Sequence, residues 1–310
     1  MKQLNSLYSI VQYCRADGSE GEQLMIDKHI KPLGVTTDKY GNLYKRIGNA
    51  PIIWSSHTDT VHNLTAPTNQ VAYVDNQLNP TKLFKTDDMC LGADCGTGIW
   101  LMIQMIQAKV EGLYIFHRAE EIGGLGSDYI RTKRAKLLGD YKQAIAFDRF
   151  GTDSVITHQG MSRCASDNYG SALSDLLGME YGLDTGGSFT DTANYTSIIP
   201  ECTNISVGYY KQHSANEWQD LIHLMKLREV LCSKGHKFAD LPIERDPSVS
   251  DFDYDERYEY GYSSNLYDSP LHQAISDYPD VVAQLLQQSG YVDERELTYL
   301  IEDTAYSTYY

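Results

Sequence analysis

Five short stretches of this chain end in, or enclose, residues that can hold a metal ion or move a proton. The first is PIIWSSHTDTVH, residues 51–62. There an apolar run is followed by two serines and then by His57 and Asp59. The second is LGADCGTG, a glycine-rich turn around Asp94. GLYIFHRAEE ends on Glu120 and Glu121, QAIAFDRF reaches Asp148 and Arg149, and CTNISVGYYKQHS runs to His213. Two imidazoles with several carboxylates form a nitrogen and oxygen donor set. Such a set suits zinc, cobalt or manganese better than calcium or a thiolate site.

The spacings add chemistry. Side chains two apart on an extended strand lie on one side, so His57 and Asp59 face the same way. If His57 binds a metal through one ring nitrogen, the other N–H needs an acceptor, and Asp59 supplies it. Two adjacent glutamates at a strand end repel each other. A metal can hold one and leave the other as a general base on water. Taken singly, each motif also has an ordinary reading. His-x-Asp is a common polar loop pair, the glutamates make a solvated turn, Asp94 caps a helix, and Asp148 with Arg149 forms an ion pair. Ser214 and Glu217 fit a capping box, which places His213 just before a helix. Of the remaining histidines only His158 is a pocket candidate; the others fit surface or core roles.

The elements that must position these residues follow from periodicity. Residues 3–15 and 19–32 are helical in pattern, with Ser19 as a cap. Two strands lie around Gly48-Asn49, with a turn at residues 40–42. From there apolar strands alternate with helices: GIWLMIQMIQAKV, GSDYIRTKRAKLL, NYGSALSDLLGMEYG and a long helix over residues 215–235. The alternation predicts an α/β fold, a mostly parallel central sheet with helices on both faces. In such sheets ligands bind outside the carboxyl ends of the strands, where these five stretches end.

Composition sets limits. A chain of 310 residues, 42% hydrophobic, can build a sizeable core. No run of eighteen apolar residues occurs, so no membrane span is expected. The first residues lack the apolar centre of a signal peptide, so the expected location is cytoplasmic and the six cysteines are read as free thiols. Net charge is −16, and residues 241–310 hold fifteen Asp/Glu against three Arg, or −12 of it. That balance argues against nucleic-acid binding. Residues 241–268 are acidic and tyrosine-rich with few aliphatics, and read as a poorly ordered linker. Residues 269–310 read as a short helical tail.

In order, H-x-D, G-A-D-x-x-x-G, E-E, D and H-S resemble the co-catalytic di-zinc exopeptidases: leucyl-type aminopeptidases, glutamate carboxypeptidase-like enzymes, and di- and tripeptidases. The likeness covers roughly residues 1–238 and includes the opening D-x-x-G-N-L strand at residues 38–43. It implies a metallopeptidase catalytic domain over residues 1–240 and two divalent ions, zinc before cobalt or manganese. It also implies that Asp94 bridges them, that His57 and Asp148 complete one site, and that Glu121 and His213 complete the other. Glu120 is then the general base and later the acid, and Asp59 orients His57. Many relatives carry a lid or dimerisation domain between the positions matching Asp148 and His213. Here that interval is 65 residues, too short for one, so a single lid-less catalytic domain is expected. LGADCGTG is nearer the di- and tripeptidase branch. The implied function is a metal-dependent aminopeptidase or small-peptide hydrolase acting on a peptide or small amide. The alternatives are a deacylase of N-acyl amino acids and a non-catalytic peptide-binding scaffold. Side-chain preference and oligomeric state are left open.

Overall fold

The computed structural model describes residues 4–86, 88–160 and 162–249, all within a first compact unit, Met1–Phe252. The expected tail helices, and most of the expected acidic linker, lie outside the described residues.

Helix α1 is Asn5–Val11 and α2 is Glu20–Met25, the latter started by the Ser19 side chain accepting the Glu22 N–H at 3.1 Å. Strands β1 (Thr36–Thr37), β2 (Leu43–Ile47) and β3 (Ile52–His57) follow, then short β4 (Tyr73–Val74) and β5 (Lys82–Phe84). Next come α3 (Ala93–Gln107), β6 (Gly112–His117), α4 (Leu125–Lys133), α5 (Ala135–Leu138) and β7 (Gln143–Arg149). Short strands β8 (Ser154–Ile156), β9 (His158–Gln159) and β10 (Ser162–Arg163) lead to α6 (Asp167–Leu177) and β11 (Gly182–Asp184). A 3-10 turn, Asp191–Tyr195, precedes β12 (Glu201–Ser206), β13 (Tyr209–Tyr210), β14 (Trp218–Asp220) and α7 (Leu221–Ser233).

The main sheet has eight strands in the order β1-β2-β6-β3-β7-β12-β8-β11. Its centre, β6-β3-β7-β12, is parallel throughout, as the alternation predicts. β2 and β3 flank the Gly48-Asn49 turn but do not pair, because β6 enters between them. β3, β6 and β12 are buried along their whole length, the pattern of a sheet covered on both faces. Alternate residues divide between two cores. Trp54, Tyr114 and Phe147 face α1, α3 and α7, with Trp54 stacked on Phe147 at 5.8 Å between ring centres. Ile53, Leu113, Ile115 and Ala144 face Ile130 of α4 and Leu138 of α5.

A second, antiparallel sheet, β13-β14-β5-β4, stands beside the first. It corrects the expected 215–235 helix. Residues 218–220 are strand β14, and the helix begins only at Leu221, capped by Asp220 to the N–H groups of Ile222 and His223. Among the described residues, the interval between Asp148 and His213 holds strands, α6 and the 3-10 turn, with no lid domain. No described helix is long and apolar enough to cross a membrane.

Candidate metal centre

The parallel strands β3, β6 and β7 deliver their carboxyl ends side by side. His57 is the last residue of β3 and pairs in register with His117, the last of β6. Asp148 lies in β7. Glu120 and Glu121 come three and four residues after β6 ends, past Ala119 at φ 58°, so they sit in a turn rather than on the strand. Asp94 stands at the head of α3 with non-helical backbone angles, and the Asp94–Cys95 peptide is cis. His213, at φ 59°, lies in the loop joining β13 to β14. The small sheet is therefore what carries His213 to the site.

These residues converge. His57 Nε2 is 3.1 Å from Asp94 Oδ1 and 3.3 Å from Asp148 Oδ1. His213 Nε2 is 3.1 Å from Asp94 Oδ2 and 3.1 Å from Glu121 Oε2. Asp94 thus points one oxygen at each imidazole, and each imidazole has one further carboxylate. On its other side, His57 Nδ1 lies 3.1 Å from the Asp59 carbonyl and 3.4 Å from the Asp59 carboxylate. Asp59 in turn accepts the N–H groups of Glu120 and Glu121 at 3.1 and 3.0 Å. One buried carboxylate thereby orients His57 and fixes the turn that bears both glutamates.

Electrostatics follow from burial. Desolvation lifts Glu120 well above the usual carboxylate range, and Asp148, Asp191 and Glu121 add to the rise against the opposing His57. Burial and Asp94 raise Glu121 to about 7, and burial with Asp94 raises Asp148 to about 6. Burial opposes a charge on His213, yet its bonds to Asp94 and Glu121 carry it up to about 11. Asp94 falls despite burial, because both imidazoles bond to it. Asp59 is likewise lowered against its burial by His57 and the two turn N–H groups.

The residues fit divalent ions. Asp94, Glu121 and His213 offer ligand atoms within 4.8 Å of one another, and so do His57, Glu120 and Glu121. Glu121 Oε1 is buried with no hydrogen-bond partner, and a buried carboxylate oxygen without a donor calls for a cation. Cys95 also lies near His57 and Asp148. It is occupied elsewhere, with Sγ 3.1 Å from the Phe147 carbonyl and 3.0 Å from Ser56 Oγ, and burial pushes its thiol pKa up, away from the thiolate a metal needs.

Two buried residues complete the frame, one absent from the sequence reading and one read there only as a helix cap. Glu217 does not close a capping box. Its carboxylate crosses to the Asp94 turn and accepts the N–H groups of Gly92 and Asp94 at 2.9 and 3.0 Å. Arg15 donates to the carbonyls of Thr58, Ile10 and Gly92 at 3.0, 3.2 and 2.9 Å, tying together the loops that hold Asp59 and Asp94. Their long-range contacts carry no sequence signal: Glu217 reaches Gly92 and Asp94 across 125 and 123 residues, and Arg15 reaches Thr58 and Gly92 across 43 and 77. The adjoining cleft is lined by Gln159 rather than His158, and by Arg149, Phe150 and Phe189.

No protein-family model matches the chain, and no curated protein matches it. Solved structures do. A tripeptidase from Staphylococcus aureus superposes with a TM-score of 0.63 at 14% identity, over 77% of this chain and 98% of that one. Aminopeptidase PepT from Bacillus cereus gives 0.58 at 14%, over 76% and 98%. The TET1 peptidase of Pyrococcus horikoshii, described as assembling into a tetrahedron or a large octahedral shell, gives 0.58 at 14%, over 75% and 99%. The chain has the fold of these peptidases. At such identities the likeness is one of architecture, and the chemistry rests on the residues above.

Proposed function

We propose that the chain is a two-metal exopeptidase that cleaves short peptides, most simply from the amino end. The observation that carries this reading is the bridging geometry of Asp94, one oxygen toward His57 and the other toward His213, both at 3.1 Å. His57 and Asp148 would hold one ion, Glu121 and His213 the other, with Asp94 shared. Two such ions, once bound, lower the pKa of an attacking water and stabilise charge on the scissile carbonyl oxygen. Glu120 is left over from the ligand set and stands beside it, with its pKa lifted well above the usual carboxylate range by burial. A base in that state takes the proton of the attacking water and then returns it to the departing amine. Asp59 keeps the His57 ring turned with Nε2 inward. The fold neighbours being peptidases supports the same class.

The test is hydrolysis of aminoacyl-nitroanilides, unblocked peptides and N-acetyl amino acids, with metal content measured on the same samples. Chelation should abolish turnover, and zinc, cobalt or manganese should restore it at two ions per chain. Glu120→Gln should lower kcat by about 10²–10⁴-fold while both ions stay bound. Turnover of N-acetyl amino acids alone would make the enzyme a deacylase. A Glu120→Gln protein that loses metal would move Glu120 into the ligand set.

A further inference from the structure

Arg149 is the sole cationic side chain, histidine aside, among the described residues lining the cleft beside the candidate metal centre. It directly follows Asp148 on β7. The short reading of Asp148 and Arg149 as an ion pair does not hold, because the guanidinium turns the other way. Its Nη2 donates to Asp184 Oδ2 at 2.9 Å, and its central carbon lies 4.2 Å from the centre of the Phe150 ring. Nε is buried and has no hydrogen-bond partner. The group is thus braced twice, by stacking on Phe150 and by one carboxylate, while the rest of its fork of donors is uncommitted.

The surroundings narrow what would meet it. Phe150 and Phe189, both partly exposed, supply apolar walls. Asn204 is spent on the Asp148 backbone, its Oδ1 accepting the N–H at 2.9 Å and its Nδ2 donating to the carbonyl at 2.7 Å. Gln159 is spent too, accepting the Thr190 N–H at 3.1 Å and donating to Thr192. Arg149 is what remains to read charge. A planar, immobilised guanidinium suits a planar anion, and in a peptide that anion is a carboxylate.

We propose that Arg149 binds a carboxylate of the substrate, so that this site takes peptides with a free carboxylate close to the scissile bond. The carboxylate belongs either to the C-terminus of a di- or tripeptide or to an acidic side chain. The proposal rests on the peptidase reading and adds the substrate class to it. It also gives a lid-less enzyme a way to select small peptides, since a long chain places its terminal carboxylate beyond reach.

The experiment compares the metal-loaded enzyme on Leu-Gly and Leu-Gly-Gly with their C-terminal amides, and on glutamyl- with leucyl-nitroanilide. A free-acid preference of about ten- to a hundredfold in kcat/KM, carried mainly by KM, is expected for a charge-assisted contact. It should appear in the first pair if the carboxylate is C-terminal, and in the second if it is a side chain. Arg149→Met should bring that ratio close to one. Arg149→Lys, read in its place if Arg149→Met fails to fold, should also reduce the ratio, because a point charge does not reproduce the planar fork. Equal rates on acid and amide together with equal rates on glutamyl- and leucyl-nitroanilide, or a ratio that persists in the variants, would overturn the assignment and leave the peptidase reading standing. No hydrolysis of any peptide with any metal would remove the peptidase reading itself, and this proposal with it.

Discussion

Glu121 and His213 show how a single residue's setting decides what the site can bind. His213 Nε2 lies between two carboxylates, so the metal-free fold holds a proton there up to about pH 11, and Glu121 holds one up to about 7. A metal needs the imidazole neutral and the carboxylate ionised. The sign follows: metal and proton compete, so affinity for divalent ions should rise with pH across the neutral range. It should fall steeply below about pH 6, where Asp148 also takes up a proton. Calorimetric titration of zinc at pH 7.5, in buffers of differing ionisation enthalpy, should register release of at least one proton per chain. Binding with no proton release would mean that His213 lies outside the ligand set. Arg149 belongs to this scale too, since its role turns on one stacked ring and one acceptor.

At the scale of elements, two buried carboxylates do matching work. Asp59 grips the turn after β6 through two N–H groups, and Glu217 grips the turn before α3 through two more. Glu217→Gln replaces half of that acceptor pair with a donor that faces a backbone N–H. We expect a drop in metal affinity of about 10–100-fold, the size usual for groups behind a ligand. Glu217→Asp should restore part of it. Metal affinity unchanged in Glu217→Gln, measured against a competing chelator, would reduce Glu217 to a packing residue.

The same scale explains what the sequence made legible. The central strands were readable because strands buried on both faces are near-continuous apolar runs. Their ends then pointed to His57, Asp148 and the two glutamates. The second sheet was not readable, because β4, β5, β13 and β14 span only two or three residues each, too short to show a strand period. Glu217 sits beside that sheet, and its spacing from Ser214 matched a local cap, so the long-range contact left no trace. The β2-β6-β3 order was hidden for a related reason: a short turn favours pairing of its flanking strands, and only the intervening β6 forbids it.

For the whole molecule, the question is where the folded unit stops. Glu201, fully buried, accepts the N–H groups of Glu244 and Arg245 at 2.9 and 3.0 Å. Arg245 donates in turn to the carbonyls of Pro200 and Ile199 at 2.6 and 3.1 Å, and to that of Thr196. Residues 244 and 245 are therefore fastened to the fold, past the position 240 that composition suggests. A chain ending at residue 249 keeps all of these contacts. A chain ending at residue 240 should lose about 1–3 kcal/mol, the cost of leaving such a buried carboxylate underpaired, or roughly 2–12 °C in Tm. Equal melting of the two truncations would show that the Glu201 contacts contribute nothing measurable.

The hairpin loop that carries His213 has one more consequence, and it concerns time. His57 and His213 are 156 positions apart in the sequence, and between them the chain must lay β6 and β7 beside β3 and then β12 beside β7. Contacts of such long range form late in folding. The candidate ligand set is therefore complete only after nearly the whole sheet is built, so an arriving ion would find a finished socket. Small zinc domains follow the opposite sequence of events, in which the metal draws an unstructured chain together. On the two-metal reading proposed above, metallation would be the final act of maturation and a reversible one: stripping the ions would silence the protein without returning it to the beginning of its folding.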